Sequence, residues 1–281
     1  MRNFDIPASP DVVNYSQADC PAEGSSEQIA MRSLAAIYMR LVGACIWLTT
    51  CTRFDVSYAT SVHSRFTINP SKAHFSSLMR LLIYLRKDAS RTLTLGGIGD
   101  DAETLKVVTD ASHEEGPSMS GVLIVMGTAV IDLICRRQKS TMPSSMASEA
   151  FANALGAQDG IYHRELAKDF GVAVTTTDFF SDSDSSVKLH KDFFACKKSK
   201  HIVRAIRQLR EWVMTCVYVM IHIPGLTNPA DLLTKPLPIE AFRRYRDAIM
   251  GGLVILKGNI QSNFLVILNS ILLPFGTWPS N

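Results

Sequence analysis

Apolar residues recur at helical spacing across 28–50, at Ala35, Tyr38, Leu41, Val42, Cys45 and Leu48, and predict a long amphipathic helix. A second helix near 55–65 and a third over 71–87 complete a small helical unit. Ser71 is placed to cap the third helix, and Phe75, Met79, Leu82 and Leu85 form its expected core stripe. After Gly96-Gly97 the period shortens to that of strands. Residues 106–110, 121–126 and 129–135 read as three strands, the last two joined by a tight turn at Gly127-Thr128. A helical pattern over 144–170 then presents Ala150, Ala154, Ala157 and Ile161 on one face, and 177–181 reads as a fourth strand. Helices are expected over 185–194 and 200–215, with a fifth strand over 216–223. The order β-β-β-α-β-α-β-α predicts an α/β fold of the mixed α+β kind, a five-stranded mixed sheet with flanking helices, preceded by a small helical segment.

The pattern divides the chain into a Pro-, Ser-, Asp- and Asn-rich leader (1–26), disordered or separately packed, and the helical segment (27–96). The sheet domain (97–250) and an unassigned tail (251–281) follow. The tail is apolar from Phe264 to Leu273 but broken by Asn269-Ser270 and ended by Pro274, too short to cross a bilayer. Nothing before residue 250 reads as a membrane span, so no membrane partner is expected. The six cysteines are scattered without Cys-x-x-Cys spacing, and the first residues lack a secretory signal. Both features point to a reducing, intracellular compartment, cytoplasmic or nuclear, rather than to secretion. A net charge of +3 does not announce a nucleic-acid partner by itself. Between residues 26 and 96, however, nine Lys/Arg face three Asp/Glu. Arg53, Arg65, Lys72, Arg80, Arg86, Lys87 and Arg91 form either a phosphate-facing side or a solvated helix surface.

Four acidic residues change the picture. Asp110 ends the first strand, Glu149 lies early in the long helix opened by Pro143-Ser144-Ser145, Asp182 ends the fourth strand, and Asp231 follows Asn228-Pro229-Ala230 at a helix start. Separate elements can bring these carboxylates to one place. Such a cluster repels itself unless a proton or a divalent cation intervenes, so its natural chemistry is Mg²⁺-assisted phosphodiester cleavage. Asp184 also follows the fourth strand and is expected instead to charge the first turn of the next helix. His222 is a candidate to orient a carboxylate or assist product release, and is otherwise a hydrogen-bonded strand histidine.

The runs Val107-Val108-Thr109-Asp110-Ala111-Ser112, Ser118-Met119-Ser120-Gly121 and Arg136-Arg137-Gln138-Lys139-Ser140-Thr141, with Glu149, resemble the RNase H domain of copia-type LTR retrotransposon Pol polyproteins. Asp182-Ser183-Asp184-Ser185, Lys200-His201-Ile202 and His222-Ile223-Pro224-Gly225 agree with it. The run Asn228-Pro229-Ala230-Asp231-Leu232-Leu233-Thr234-Lys235-Pro236-Leu237 is the most specific. Upstream, Tyr38-Met39-Arg40-Leu41-Val42-Gly43, Thr52-Arg53-Phe54-Asp55-Val56 and Asn69-Pro70-Ser71-Lys72 resemble the segment that precedes RNase H in the same polyproteins, the reverse-transcriptase connection. No Tyr-x-Asp-Asp occurs, so the chain carries no polymerase motif.

The resemblance implies a metal-dependent hydrolase, ribonuclease H, that cleaves the RNA strand of an RNA–DNA hybrid. Asp110, Glu149, Asp182 and Asp231 are its expected catalytic residues and metal ligands for two Mg²⁺ ions, with Mn²⁺ as a substitute. Asp110 would touch both ions, with Glu149 and Asp182 on one and Asp231 on the other. The resemblance implies further that Arg136, Arg137, Lys139, Lys197, Lys198, Lys200 and His201 contact nucleic acid, and that a reverse transcriptase domain of a larger polyprotein is a partner. Groups near Ser112, Ser118 and Ser120 are candidate readers of the 2′-hydroxyl. The chain departs from the family at Phe54, Ala147 and Ala150 and lacks the usual Trp after Ser112. Those departures define the alternative, a catalytically inactive retroelement relic that folds and binds nucleic acid. A retroviral-type integrase fits less well, because its acids are expected in the order Asp, Asp, Glu.

Overall fold

The computed structural model describes residues 4–10, 12, 15–96, 104–112, 117–184, 187 and 203–253. Three helices come first: α1 (Ser26–Cys51), α2 (Ser57–Ser64) and α3 (Lys72–Lys87). Strands β1 (Leu105–Ala111), β2 (Met119–Met126) and β3 (Ala129–Arg137) follow, then α4 (Ser145–Asp169), β4 (Thr177–Ser181), α5 (Val203–Met214) and β5 (Tyr218–His222). A short 3₁₀ helix (Pro229–Leu233) and α6 (Ile239–Gly251) close the described part. The helix expected over 185–194, the basic run Lys197 to His201 and the tail beyond residue 253 lie outside the described residues.

The sheet order is β3-β2-β1-β4-β5, with β1 to β3 antiparallel and β4 and β5 parallel to β1. This is the expected five-stranded mixed sheet of RNase H-like type. Gly127, at φ 61°, supplies the left-handed backbone that a two-residue hairpin between Met126 and Ala129 requires. The pleat sends Val107, Val122, Ile124, Phe179 and Met220 to one face, against α4 and α5. On the other face, Val108, Leu123, Val125 and Phe180 pack with the 3₁₀ helix and α6 through Leu233, Tyr245 and Ile249.

That second face also takes in the N-terminal helices. Tyr38, Val42, Phe54, Val62, Leu78, Leu81 and Tyr84 belong to the same buried cluster as Val108 and Phe180, and Ala8 and Val12 join it. Each fully buried side chain of this size contributes on the order of 1.5–3 kcal/mol, so this packing is a large share of the core. The α3 stripe differs from expectation: His74, Leu78, Leu81, Tyr84 and Leu85 are buried, whereas Met79 is 40% exposed. The cause is the capping box. Ser71 Oγ accepts from His74 N, and the Ser71 amide donates to His74 Nδ1 at 3.1 Å, which turns His74 inward to stack on Phe66.

The basic residues of this region are largely engaged within the fold. Arg53 is buried and donates to Asp55 through Nε and Nη2, each at 2.9 Å, so it is part of the core and no phosphate contact. Tyr84 Oη donates to the same Asp55 carboxylate at 2.7 Å. Arg91 reaches Asp88 and Asp247, and Lys87 pairs with Asp5. Among the described residues, α1 alone is long and apolar enough to cross a membrane by length and composition, where the sequence pattern had suggested no span before residue 250.

Candidate functional site

Asp110 sits one residue from the end of β1, opposite Gly121 of β2. A Cβ at Gly121 would stand 2.9 Å from both Leu233 Cβ and Thr234 Cγ2, so only glycine lets the 3₁₀ helix lie this close to the sheet. Asn228 caps that helix, accepting from Ala230 N at 3.1 Å while its amide donates to the Thr109 carbonyl at 3.0 Å. One buried side chain thus starts the helix and fastens it beside Asp110, which carries Asp231 to the same spot. Thr234, also buried, donates its hydroxyl to Asp110 Oδ2.

Asp182 directly follows β4, the parallel neighbour of β1. His222, exposed at the end of β5, donates Nε2–H to the Asp182 carbonyl at 3.0 Å and so holds its backbone. Asp184 is exposed and outside the cluster. Asp110, Asp182 and Asp231 each offer a carboxylate oxygen within 4.8 Å of the other two, an arrangement fit to hold a metal ion.

Glu149 comes from the first turns of α4 and stands one step aside from that trio. Its Oε1 accepts from the Ala111 amide at 3.3 Å, and its Oε2 is buried with no hydrogen-bond partner. The seat of α4 explains its reach: Asn153 accepts from Thr109 Oγ1 at 2.6 Å, and Gly156 and Gly160 lie against β1. A Cβ at Gly160 would meet Val107 Cγ2 at 2.7 Å and Tyr218 Oη at 2.6 Å. The stripe Glu149, Asn153, Gly156, Gly160 therefore runs along β1 at helical spacing.

The electrostatics are those of crowded like charges. Burial, then the charges of Asp110 and Asp182, push Glu149 up to about 9. Burial and the neighbouring Asp231 push Asp110 up to about 6. Asp182 and Asp231 are raised as well, chiefly by burial. Lys235 offsets part of this with an ion pair to Asp231 at 2.7 Å. Burial disfavours its charge, but the facing Asp231, Asp110 and Asp182 outweigh that and hold its pKa above the usual lysine value. An all-oxygen donor set with a buried, unsatisfied carboxylate oxygen suits a hard divalent cation.

Arg136, Arg137 and Lys139 are exposed at the β3 end that neighbours the N-terminal end of β2, the same end of the sheet as Asp110. Ser112, Ser118 and Ser120 are buried instead of open to a substrate. Ser118 Oγ pairs with Ser148 Oγ at 2.9 Å, Ser120 Oγ accepts from Gln138 Nε2 at 2.9 Å, and Ser112 Oγ accepts from Met119 N at 3.0 Å. Their hydroxyls hold β2, the end of β3 and α4 together. Asn228, Thr234 and Lys235 were visible only as parts of a motif, and nothing in their spacing told which atoms they would hold.

No protein-family profile matches the chain. The chain is similar to the retrovirus-related Pol polyprotein from transposon TNT 1-94 of Nicotiana tabacum, 28% identical over 75% of this chain and 16% of that protein. It is 25% identical to the corresponding polyprotein from transposon RE1 of Arabidopsis thaliana, over 75% of this chain and 15% of that protein. The chain thus spans about a sixth of the length of these relatives. It is also 30% identical to secreted RxLR effector protein 161 of Plasmopara viticola, over 44% of this chain and 89% of that protein. Among solved structures, LC11-RNase H1 isolated from compost is similar at a TM-score of 0.39 and 18% identity, over 50% of this chain and 97% of that one. The N-terminal RNase H domain of Rv2228c from Mycobacterium tuberculosis follows at 0.38 and 14%, over 52% and 97%. Over three quarters of its length the chain is thus similar to a part of the retrovirus-related Pol polyproteins of plant transposons, and that similar region includes the five-stranded mixed sheet and its acid cluster.

Proposed function

We propose that this chain is a metal-dependent ribonuclease H that cuts the RNA strand of RNA–DNA hybrids. The observation that carries the reading is the convergence of Asp110, Asp182 and Asp231 within 4.8 Å beside a Glu149 whose buried Oε2 has no partner. Carboxylates held this close at a sheet end are costly without a counter-cation. Mg²⁺ ions, or Mn²⁺ in their place, would be held by these four residues and would supply Lewis-acid activation of water and neutralisation of charge at the phosphodiester.

The chain's own groups do the rest. Thr234 fixes the orientation of Asp110, Asn228 fixes the helix that bears Asp231, and His222 fixes the backbone of Asp182. Lys235 sits where it can also meet a phosphate oxygen. Arg136, Arg137 and Lys139 supply cationic surface at the same sheet end for the hybrid's backbone, with Lys197, Lys198, Lys200 and His201 proposed as further contacts. The Tyr-x-Asp-Asp of a polymerase is absent from the chain, so a reverse transcriptase domain of a larger polyprotein is the proposed partner.

The test is digestion of a labelled hybrid in Mg²⁺ by the wild type and Asp110→Asn side by side. The expected result is cleavage of the RNA strand by the wild type alone, with hybrid binding retained in the variant. Equal cleavage by both would remove the assignment, and bound but uncut hybrid with the wild type would establish an inactive relic. Replacing Arg136, Arg137 and Lys139 by Ala should flatten the salt dependence of hybrid binding, by about 0.9 in log–log slope for each phosphate no longer neutralised.

A further inference from the structure

A second set of convergent ligands lies away from the acid cluster, where the outer strand β3 meets the last turns of α4. Fourteen positions separate Glu149 from His163 on that helix, which places the two about 21 Å apart along its axis. Asp159 and His163, one turn apart, face Asp132 of β3, and each of the three presents a ligand atom within 4.8 Å of the others. His163 is only 8% exposed.

The hydrogen bonding fixes the state of the ring. His163 Nδ1 lies 3.0 Å from the main-chain carbonyl of Asp159, which can only accept, so Nδ1 carries a proton. In its neutral form the ring would turn the Nε2 lone pair toward Asp132 Oδ2 at 3.3 Å; burial disfavours a second proton, but Asp132 and Asp159 outweigh it and hold the ring's pKa above the usual histidine value. Two acceptors at that separation call for a cation between them. A proton on Nε2 would answer that pair, but an imidazolium has only two N–H groups and both would then be engaged. Asp159 Oδ2, buried and without a hydrogen-bond partner, would stand at 3.9 Å from Nδ1, near enough to feel the ring's charge but too far for a hydrogen bond. A metal ion differs from a proton in taking electron pairs from all three groups at once. A ring whose distal N–H is held by a main-chain carbonyl is also the usual posture of a metal-bound histidine.

We propose that Asp132, Asp159 and His163 form a second metal site, separate from the acid cluster, for a divalent transition-metal ion such as Zn²⁺. One imidazole nitrogen with two carboxylate oxygens is a donor set suited to zinc, whereas Mg²⁺, which prefers an all-oxygen shell, belongs with Asp110 and its neighbours. Bound there, the ion ties the outer strand to α4 at the end remote from Glu149.

The test uses the full chain carrying Asp110→Asn and Asp231→Asn, which takes out the acid cluster as a competing site. Zn²⁺ binding is measured by calorimetry, and the His163 ring nitrogens are followed by ¹⁵N NMR. One equivalent of Zn²⁺ should bind and turn Nε2 from a free or protonated nitrogen into a metal-bound one while Nδ1 keeps its proton. Adding His163→Gln should weaken binding by about 100-fold or more, and Asp132→Asn by at least about 10-fold, with melting curves confirming that both variants are folded. Absence of a stoichiometric Zn²⁺ site in that background would overturn the proposal. Zn²⁺ affinity unchanged by His163→Gln, or a ring that keeps both protons at saturating Zn²⁺, would do so equally.

Discussion

Asp55 and Glu149 are both buried carboxylates, 1% and 6% exposed, yet their surroundings are opposite. Asp55 accepts two hydrogen bonds from Arg53 and one from Tyr84, and the Arg53 guanidinium donates onward to the Asp88 carbonyl at 2.9 Å. Glu149 has one amide, one orphaned oxygen and two further acids for company. The helical unit uses its buried charge to hold itself together. The sheet end answers its acids only in part, through Lys235 and Thr234, and a cluster left partly unsatisfied at a cost to folding is where a ligand's free energy of binding is available.

The same chemical change made in the two places should therefore have opposite signs. Asp55→Asn strips the charge that balances a buried Arg53 and should destabilise the fold by about 3 kcal/mol or more, whereas Asp110→Asn should leave metal-free stability unchanged or higher. Urea unfolding of both variants in chelator checks this, and a stability loss at Asp110 as large as that at Asp55 would erase the contrast. A divalent ion should reverse the order. Mg²⁺ at a hundred times its dissociation constant should stabilise the wild type by about 2.7 kcal/mol and do little for an Asp110→Asn, Asp231→Asn variant in thermal melts.

Acid offers a third way to separate the regions. Burial, followed by the nearby His74 and Arg65, drives His63 down to about 3, while its ring meets Tyr38 Oη at 3.1 Å and Ser77 Oγ at 3.4 Å. Its folded pKa is depressed, so the unfolded chain takes up the proton first. The stability that His63 contributes is present above about pH 6.5 and is lost as pH falls toward 3, at up to about 1.4 kcal/mol per pH unit. His63→Gln should flatten that part of the stability profile, and an unchanged acid limb would assign the loss elsewhere. The smallest effect is expected at the seam of the site. Asn228→Ala removes a helix cap and a bond to Thr109, for about 1 kcal/mol, but it should cost activity out of proportion because it frees the helix that carries Asp231.

The strands and long helices were legible because their periods are strong, and the acids because each stands at a strand end or helix start. What escaped was set by contacts between distant segments. The α3 stripe was misread because its anchor is a histidine, polar in any pattern, drawn inward by its bond to the Ser71 amide. Arg53 looked like free basic surface because nothing in its neighbours' spacing says that Tyr84 and Asp55 will meet it in the core. Gly156 and Gly160 carry no side chain to read, yet their bareness brings α4 against β1 and Glu149 into reach.

The apolar face that joins Val108, Leu123 and Phe180 to Tyr38, Val62 and Leu81 makes the N-terminal helices and the sheet depend on each other for solubility. Dividing the chain near residue 97 would cut through this seam. Either half would then expose a broad greasy surface to the cell, inviting aggregation and degradation. A chain trimmed to start at the first strand should therefore be far less soluble than one that keeps the N-terminal helices.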